Sequence, residues 1–366
     1  MEKNKKILFY CSSLSKGGAE RVFVNLAEYF TEKGYQVYIV TQYQLEDEYV
    51  TSSAITRVIS DLTDAELRHG RIKNFFARIV KLRNIMKQIS PDIVFSCNGK
   101  NNFMAIFTNS FLKNKVVVSV VAEPEMEYYT PSMRLLAKTY FALADGIVFQ
   151  TEKAKEFFPK YIKKKSVILP NSLNPAFIKP RFEGDRKKEI VAVGRLDDNK
   201  NHAMLIKAFA NISENFPEYR LCIYGEGENR VKLQVLINEL GLTQKISMPG
   251  RTSHIEDRIY ESSLFVLTSN SEGMPNSLIE AMSLGLCVIS TDCPSGGPGE
   301  LIQNGVNGCL IPVKDEKALE NCMKECLGND EHRETMGRNA TQIQLQMSPS
   351  QVNKKWELYF NHIMSQ

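Results

Sequence analysis

Short apolar runs of strand type recur along this chain with amphipathic stretches between them, and that alternation narrows its possible folds more than any other feature. In the first half the runs fall at residues 7–11, 36–41, 93–97, 116–121, 146–150 and 167–169. Stretches with helical spacing of apolar residues lie between them at 19–33, 72–89, 103–112, 131–143 and 153–161. The second half repeats the rhythm, with strand-type runs at 190–193, 221–224, 246–248, 264–268, 286–290 and 309–311. Strands that alternate with helices pair in parallel and are joined by right-handed crossovers. The expectation is therefore an α/β protein of two Rossmann-like domains. The break between them falls in 169–177, where Pro170 and Pro175 interrupt any helix or central strand and Asn171 and Asn174 suit turns. This gives an N-terminal domain at 1–173 and a C-terminal domain at 174–349. The residues after 350, with Trp356, Leu358, Tyr359 and Phe360, are apolar enough to pack back as a helix. A cleft between two such domains is the expected ligand site.

Bulk properties exclude several classes. A chain of 366 residues, 43% hydrophobic and 24% charged, is long enough for two cores and has the balance of a soluble globular protein. A formal net charge of +4 gives no argument for nucleic acid as a partner. The basic start is followed by an apolar run of only residues 7–11, too short for a signal peptide or a membrane span, so a cytoplasmic protein is expected. Of eight cysteines, Cys11, Cys97, Cys222 and Cys287 sit in apolar runs, as small buried hydrophobes do in a reducing compartment. Cys322 and Cys326 are one helical turn apart, but no second pair or histidine accompanies them to complete a zinc site, so no metal site is expected. The five histidines form no cluster and no nucleophilic dyad.

Residues 269–280 carry the clearest chemistry, with Glu272 and Glu280 eight positions apart. The strand-type run 264–268 precedes them, a helix follows from Ser277 until Gly285 stops it, and the run 286–290 comes next, so the whole is a βαβ unit. Glu272 then lies in the loop at the carboxyl end of a strand, the edge where open α/β sheets bind ligands, and Glu280 lies on the helix. Two carboxylates there suit the hydroxyls of a sugar and a ribose. The same spacing also fits a solvated acidic loop with a glutamate favoured by the helix dipole. Gly17 and Gly18, after the first strand, offer bare amides at a helix start and hence an anion site, or a simple turn. Arg195 and Lys200, just past the run 190–193, offer a planar fork and a point charge to a diphosphate, or a surface pair with Asp197 and Asp198. Gly225-Glu-Gly227 lacks the third glycine of a dinucleotide fingerprint and reads as a tight turn, which disfavours a nicotinamide enzyme.

Taken together, Glu272-Gly-Met-Pro-Asn-Ser-Leu-Ile-Glu280, Gly194-Arg-Leu-Asp-Asp-Asn-Lys200, Gly17-Gly-Ala-Glu-Arg21 and Gly297-Pro-Gly-Glu300 resemble, in register from about residue 6 to the C-terminus, the retaining glycosyltransferases of family 4. The resemblance implies the GT-B fold, with two Rossmann-like domains facing a central cleft and the last helix, about 350–366, returning to the N-terminal domain. The resemblance implies a sugar donor linked to a nucleotide, uridine diphosphate, and a lipid-linked saccharide acceptor in bacterial surface polysaccharide synthesis. By the same resemblance Arg195 and Lys200 hold the donor diphosphate, Glu280 the ribose, Glu272 the transferred sugar, and the amides of Gly273, Met274, Pro275 and Asn276 line the sugar or phosphate. No resident cofactor or metal is implied. Where many relatives carry a histidine after the fourth strand, this chain has Val121-Ala-Glu-Pro-Glu-Met-Glu127, and Glu123 takes the acceptor-side or sugar-contact position. A sugar-nucleotide epimerase of the same fold and a non-catalytic nucleotide-sugar-binding subunit are the alternatives.

Residues 68–87 combine apolar Ile72, Phe75, Phe76, Ile79, Leu82 and Met86 with Arg71, Arg78, Lys81 and Arg83. Such a helix can lie on an anionic membrane or pack on its own domain. The implied lipid-linked acceptor favours peripheral binding at the inner face of the cell membrane.

Overall fold

The computed structural model describes residues 5–366, which form two compact units. The first runs to Asn171 and takes in Ser350–Gln366; the second spans Ser172–Pro349. Among the described residues no helix is long and apolar enough to cross a membrane.

The first unit is built on strands β1 (Lys6–Cys11), β2 (Gln36–Thr41), β3 (Thr56–Ile59), β4 (Ile93–Cys97), β5 (Lys115–Val120), β6 (Gly146–Phe149) and β7 (Ser166–Ile168). They pair in parallel in the order β3-β2-β1-β4-β5-β6-β7, with Phe9 between Ile39 and Phe95. Both faces are covered, which is why the strands are near-continuous apolar runs. On β1, Ile7, Phe9 and Cys11 point into one core and Leu8 and Tyr10 into the other. The C-terminal helix Pro349–Ser365 completes the first of these cores. Its Trp356 and Phe360, one turn apart, meet Phe95 and Phe30 with ring centroids 5.3 and 5.0 Å apart.

The second unit has strands β8 (Lys187–Val193), β9 (Arg220–Tyr224), β10 (Ile246–Gly250), β11 (Ser262–Leu267), β12 (Cys287–Thr291) and β13 (Cys309–Ile311). Their order, β10-β9-β8-β11-β12-β13, is again fully parallel and doubly wound. Gly285 adopts φ 70° and ends the helix Asn276–Ser283, with the Leu286 N–H turned back onto the Ala281 carbonyl at 3.2 Å.

Three elements differ from the sequence expectation. Strand β3 has no apolar run to announce it, because as an edge strand it is only half covered. The stretch 153–161 is two short helices, Glu152–Glu156 and Lys160–Lys163, since Pro159 has no N–H to continue the first. The helix expected at 103–112 runs instead from Gly99 to Asn109. Its early start is held by the Glu127 carboxylate, which accepts the Gly99 N–H. Its end is fixed by Arg83, whose Nη1 donates to the carbonyls of Thr108 and Ser110, both at 2.7 Å.

Candidate functional site

In each sheet the chain reverses direction of winding at one point, between β8 and β11 in the second unit and between β1 and β4 in the first. Loops leaving neighbouring strands there diverge and leave a crevice at the carboxyl edge. The candidate residues fall on these loops.

In the second unit the loop after β8, residues 194–201, is tied to the loop after β11, residues 268–275. Thr268 Oγ1 donates to the carbonyls of Lys200 (2.9 Å) and Asn201 (3.1 Å). Asn199 Nδ2 donates to the Ser271 carbonyl at 2.8 Å, and Asn270 donates its N–H to Asn199 and its side-chain amide to the Asp198 carbonyl. Lys200 is placed by its own N–H on Asp197 at 2.9 Å. The outcome is an ion pair between Lys200 and Glu272, two groups 72 positions apart, with side chains only 15% and 12% exposed. Ser269 Oγ also donates to Glu272, at 2.6 Å. Arg195 reaches Asp197 at 3.1 Å with its side chain mostly in solvent, so it is the more exposed of the two cations.

Two glycines make this edge possible by contact rather than by flexibility. A Cβ on Gly225 would lie 1.8 Å from the Gly194 carbonyl oxygen, and one on Gly297 would lie 1.6 Å from that of Gly273. The turn 225–227, set aside as a dinucleotide motif, thus buttresses the loop that carries Arg195 and Lys200. Glu280 sits on the helix Asn276–Ser283, five residues beyond Pro275, and is buried. Met274 turns its side chain into the core. His202, beside Lys200, is buried too; burial first, then that ammonium, hold it down to about 4, so it is neutral at ordinary pH.

In the first unit Gly17 and Gly18 open the helix Gly18–Glu32 as expected, and Glu20 folds its carboxylate back over Gly17. A polar cluster in the same unit had no motif to announce it. Asn101 Oδ1 accepts from Ser12 Oγ at 3.0 Å and from Gln42 Nε2 at 3.1 Å, and Gln42 also donates to the Tyr10 hydroxyl at 2.9 Å. Asn102, fully buried, donates to the Ser119 carbonyl at 2.8 Å. Each of these residues stands at or just past a strand end, the positional signal by which they could have been found. Glu123 follows β5, is 8% exposed, and starts the short helix Pro124–Glu127. Glu127 ends that helix, and desolvation of its carboxyl pushes it up to about 7 despite the Gly99 N–H.

The helix Arg71–Ile89 has two different halves. Ile79, Leu82, Met86 and Ile89 pack into the core, whereas Ile72, Phe75, Phe76 and Val80 are exposed. Of its cations, Arg83 caps the neighbouring helix and Lys81 bonds Glu66 and the Asp61 carbonyl, both at 2.7 Å. Arg78 approaches Asp61 at 3.8 Å, and Arg71 is exposed.

The model of the glycosyl transferases group 1 matches residues 175–343, and that of Glycosyltransferase Family 4 matches residues 16–177. Among relatives is the Campylobacter jejuni GalNAc-alpha-(1->4)-GalNAc-alpha-(1->3)-diNAcBac-PP-undecaprenol alpha-1,4-N-acetyl-D-galactosaminyltransferase, 26% identical over 96% of this chain and 97% of its own length. The amylovoran biosynthesis glycosyltransferase AmsD of Erwinia amylovora is 21% identical over 97% of this chain and 99% of its own. Among solved structures, Anabaena HepE in complex with UDP superimposes with a TM-score of 0.81 at 17% identity, covering 98% of this chain and all of that one.

Proposed function

The chain belongs to the group 1, family 4 type of glycosyltransferases, and we propose that it moves a sugar from a uridine diphosphate donor to a lipid-linked saccharide in bacterial surface polysaccharide synthesis. The observation that carries this reading is the Lys200–Glu272 pair at the switch point of the second sheet, with Glu280 one helix further on. A nucleotide-sugar needs positive charge on its diphosphate and carboxylates on its hydroxyls, and this edge holds both. The relatives' names add the acceptor chemistry: two of them, from Campylobacter, act on undecaprenol diphosphate saccharides. The HepE structure, with UDP bound, supports the nucleotide.

In this scheme Arg195 and Lys200 bind the diphosphate and stabilise the charge that grows on it as the bond from the anomeric carbon breaks. Lys200 first has to leave Glu272, which is then released to the sugar hydroxyls. Glu280 holds the ribose, and the Gly273, Met274 and Asn276 amides, with the Pro275 turn between them, face the sugar or phosphate. The acceptor oxygen bonds to the anomeric carbon on the face the phosphate leaves, and a phosphate oxygen takes its proton, so configuration is retained without a protein nucleophile. On the first unit, Gly17 and Gly18 offer amide donors to an anionic group, and Glu123 offers a carboxylate to a sugar or acceptor hydroxyl. No metal enters these steps; the two cations supply the charge. The exposed Ile72, Phe75, Phe76 and Val80, flanked by Arg71, rest on an anionic membrane at its inner face, where a lipid-linked acceptor resides.

The test is transfer to a lipid-linked acceptor by Lys200→Ala and Glu272→Gln. Each is expected to lose about 100-fold or more in kcat/KM, the scale of a lost transition-state contact. Wild-type rates in both, with the fold intact by circular dichroism, would overturn the assignment.

A further inference from the structure

Four cysteines from distant parts of the sequence meet in the second unit. Cys287 and Cys309 are the first residues of β12 and β13, and Cys322 and Cys326 lie one turn apart on the helix Glu316–Gly328. The Sγ atoms of Cys287 and Cys326 are 3.8 Å apart, and those of Cys309 and Cys326 are 4.0 Å apart. The sulfurs of Cys309, Cys322 and Cys326 all lie within 4.8 Å of one another. Thiolates at about 2.3 Å from a tetrahedral zinc ion stand roughly 3.8 Å from each other, so these three sulfurs approach the spacing of a metal's ligand shell, and Cys287, in contact with Cys326 alone, would complete it by a side-chain adjustment. None of these cysteines is in a disulfide. The sequence showed only the Cys322–Cys326 pair; the sheet supplies the other two.

We propose that Cys287, Cys309, Cys322 and Cys326 bind one thiophilic cation of the zinc class. Cys287 and Cys326 are buried, whereas Cys309 and Cys322 are partly exposed and give an ion a way in. The competing explanation is four small hydrophobes packed among Leu319, Met323 and Met336. Against it stands the convergence of sulfurs from a strand start and the facing helix within 4.8 Å of one another, with a fourth, from a second strand start, in contact with Cys326. The neighbouring Arg333, 4% exposed, donates Nη1 to the Cys326 carbonyl at 3.2 Å and is matched by Asp330 at 2.6 Å. The cysteines begin their strands, while Lys200 and Glu272 follow the carboxyl ends of theirs. The ion therefore sits at the opposite end of the sheet from the proposed transfer site and pins the edge strand β13 to its covering helix.

The test is titration of the full chain, reduced and stripped by a chelator, with Co²⁺ under anaerobic conditions. The expected result is a thiolate-to-cobalt charge-transfer band that saturates at one ion per chain, is bleached by Zn²⁺, and is accompanied by a rise in Tm on adding Zn²⁺. Cys309→Ser and Cys322→Ser, at the two partly exposed positions where folding is least disturbed, should lose the band; Cys222→Ala, on another strand, should keep it. A folded wild-type protein without the band, or a band of equal strength in both serine variants, would overturn the proposal.

Discussion

Glu127 shows what a single carboxyl at a helix start does to this fold. Its Oε2 is out of solvent and its pKa is raised to about 7 by desolvation. A carboxyl that binds its proton more tightly when folded stabilises the fold below the unfolded pKa and loses that contribution as pH rises through the folded one. The chain should therefore lose up to about 3 kcal/mol between roughly pH 4.5 and 7.5 from this group, as a shift of one unit is worth about 1.4 kcal/mol. Urea midpoints across that range should fall in the wild type and fall less in Glu127→Gln; identical slopes would contradict the assignment. At this scale the sequence was informative where residue type alone sufficed. Charge placed after strand-type runs singled out Glu272, Lys200 and Arg195 as candidates, and the family resemblance alone suggested their roles. Their pairing was not legible: Lys200 could equally have met Asp197 or Asp198, and only the hydrogen bonds from Thr268, Asn199 and Asn270 turn it to Glu272. Asn101, Gln42 and Glu127 were illegible because a buried amide or carboxyl looks like a surface one until its strand end is placed.

The helix Arg71–Ile89 makes the case at the scale of an element. Its apolar spacing fitted both a core face and a membrane face, and the structure divides it between the two, core toward the C-terminal end and exposed surface toward the start. The basic residues were harder to read, since a long cation reaches several turns away. Arg83 satisfies the last carbonyls of a neighbouring helix, and Lys81 holds the Glu66 carboxylate, with Thr63, down to about 2. If the exposed half lies on a bilayer, replacing Ile72, Phe75 and Phe76 together by serine should weaken binding to anionic vesicles by at least about 10-fold, given about 1.5–3 kcal/mol for each large apolar side chain buried. Co-sedimentation measures it, and unchanged binding would take the helix off the membrane. Strands were read well throughout because their burial on both faces makes them continuous apolar runs; β3 escaped because one of its sides is open.

Across the whole molecule, one plan is used twice. Both units wind a parallel sheet outward from a central pair of strands, β1 and β4 or β8 and β11, and most of the candidate residues lie on the loops leaving that pair or on the helix that follows. The alternation of strands and helices specifies such a plan, since helical crossovers force parallel pairing. What it does not specify is which sugar or acceptor fits, because the loops that choose them obey no periodic rule. On the proposed function, the carboxyl edge of the second sheet, with Lys200 and Glu280, binds a nucleotide-sugar. Thermal unfolding of the full chain with a panel of nucleotide-sugars tests it most directly, as a ligand at 100 times its Kd adds about 2.7 kcal/mol to the folded state. Tm should rise with uridine diphosphate sugars, and that rise should be lost in Glu280→Gln. No rise with any nucleotide-sugar, or an equal rise in Glu280→Gln, would contradict it.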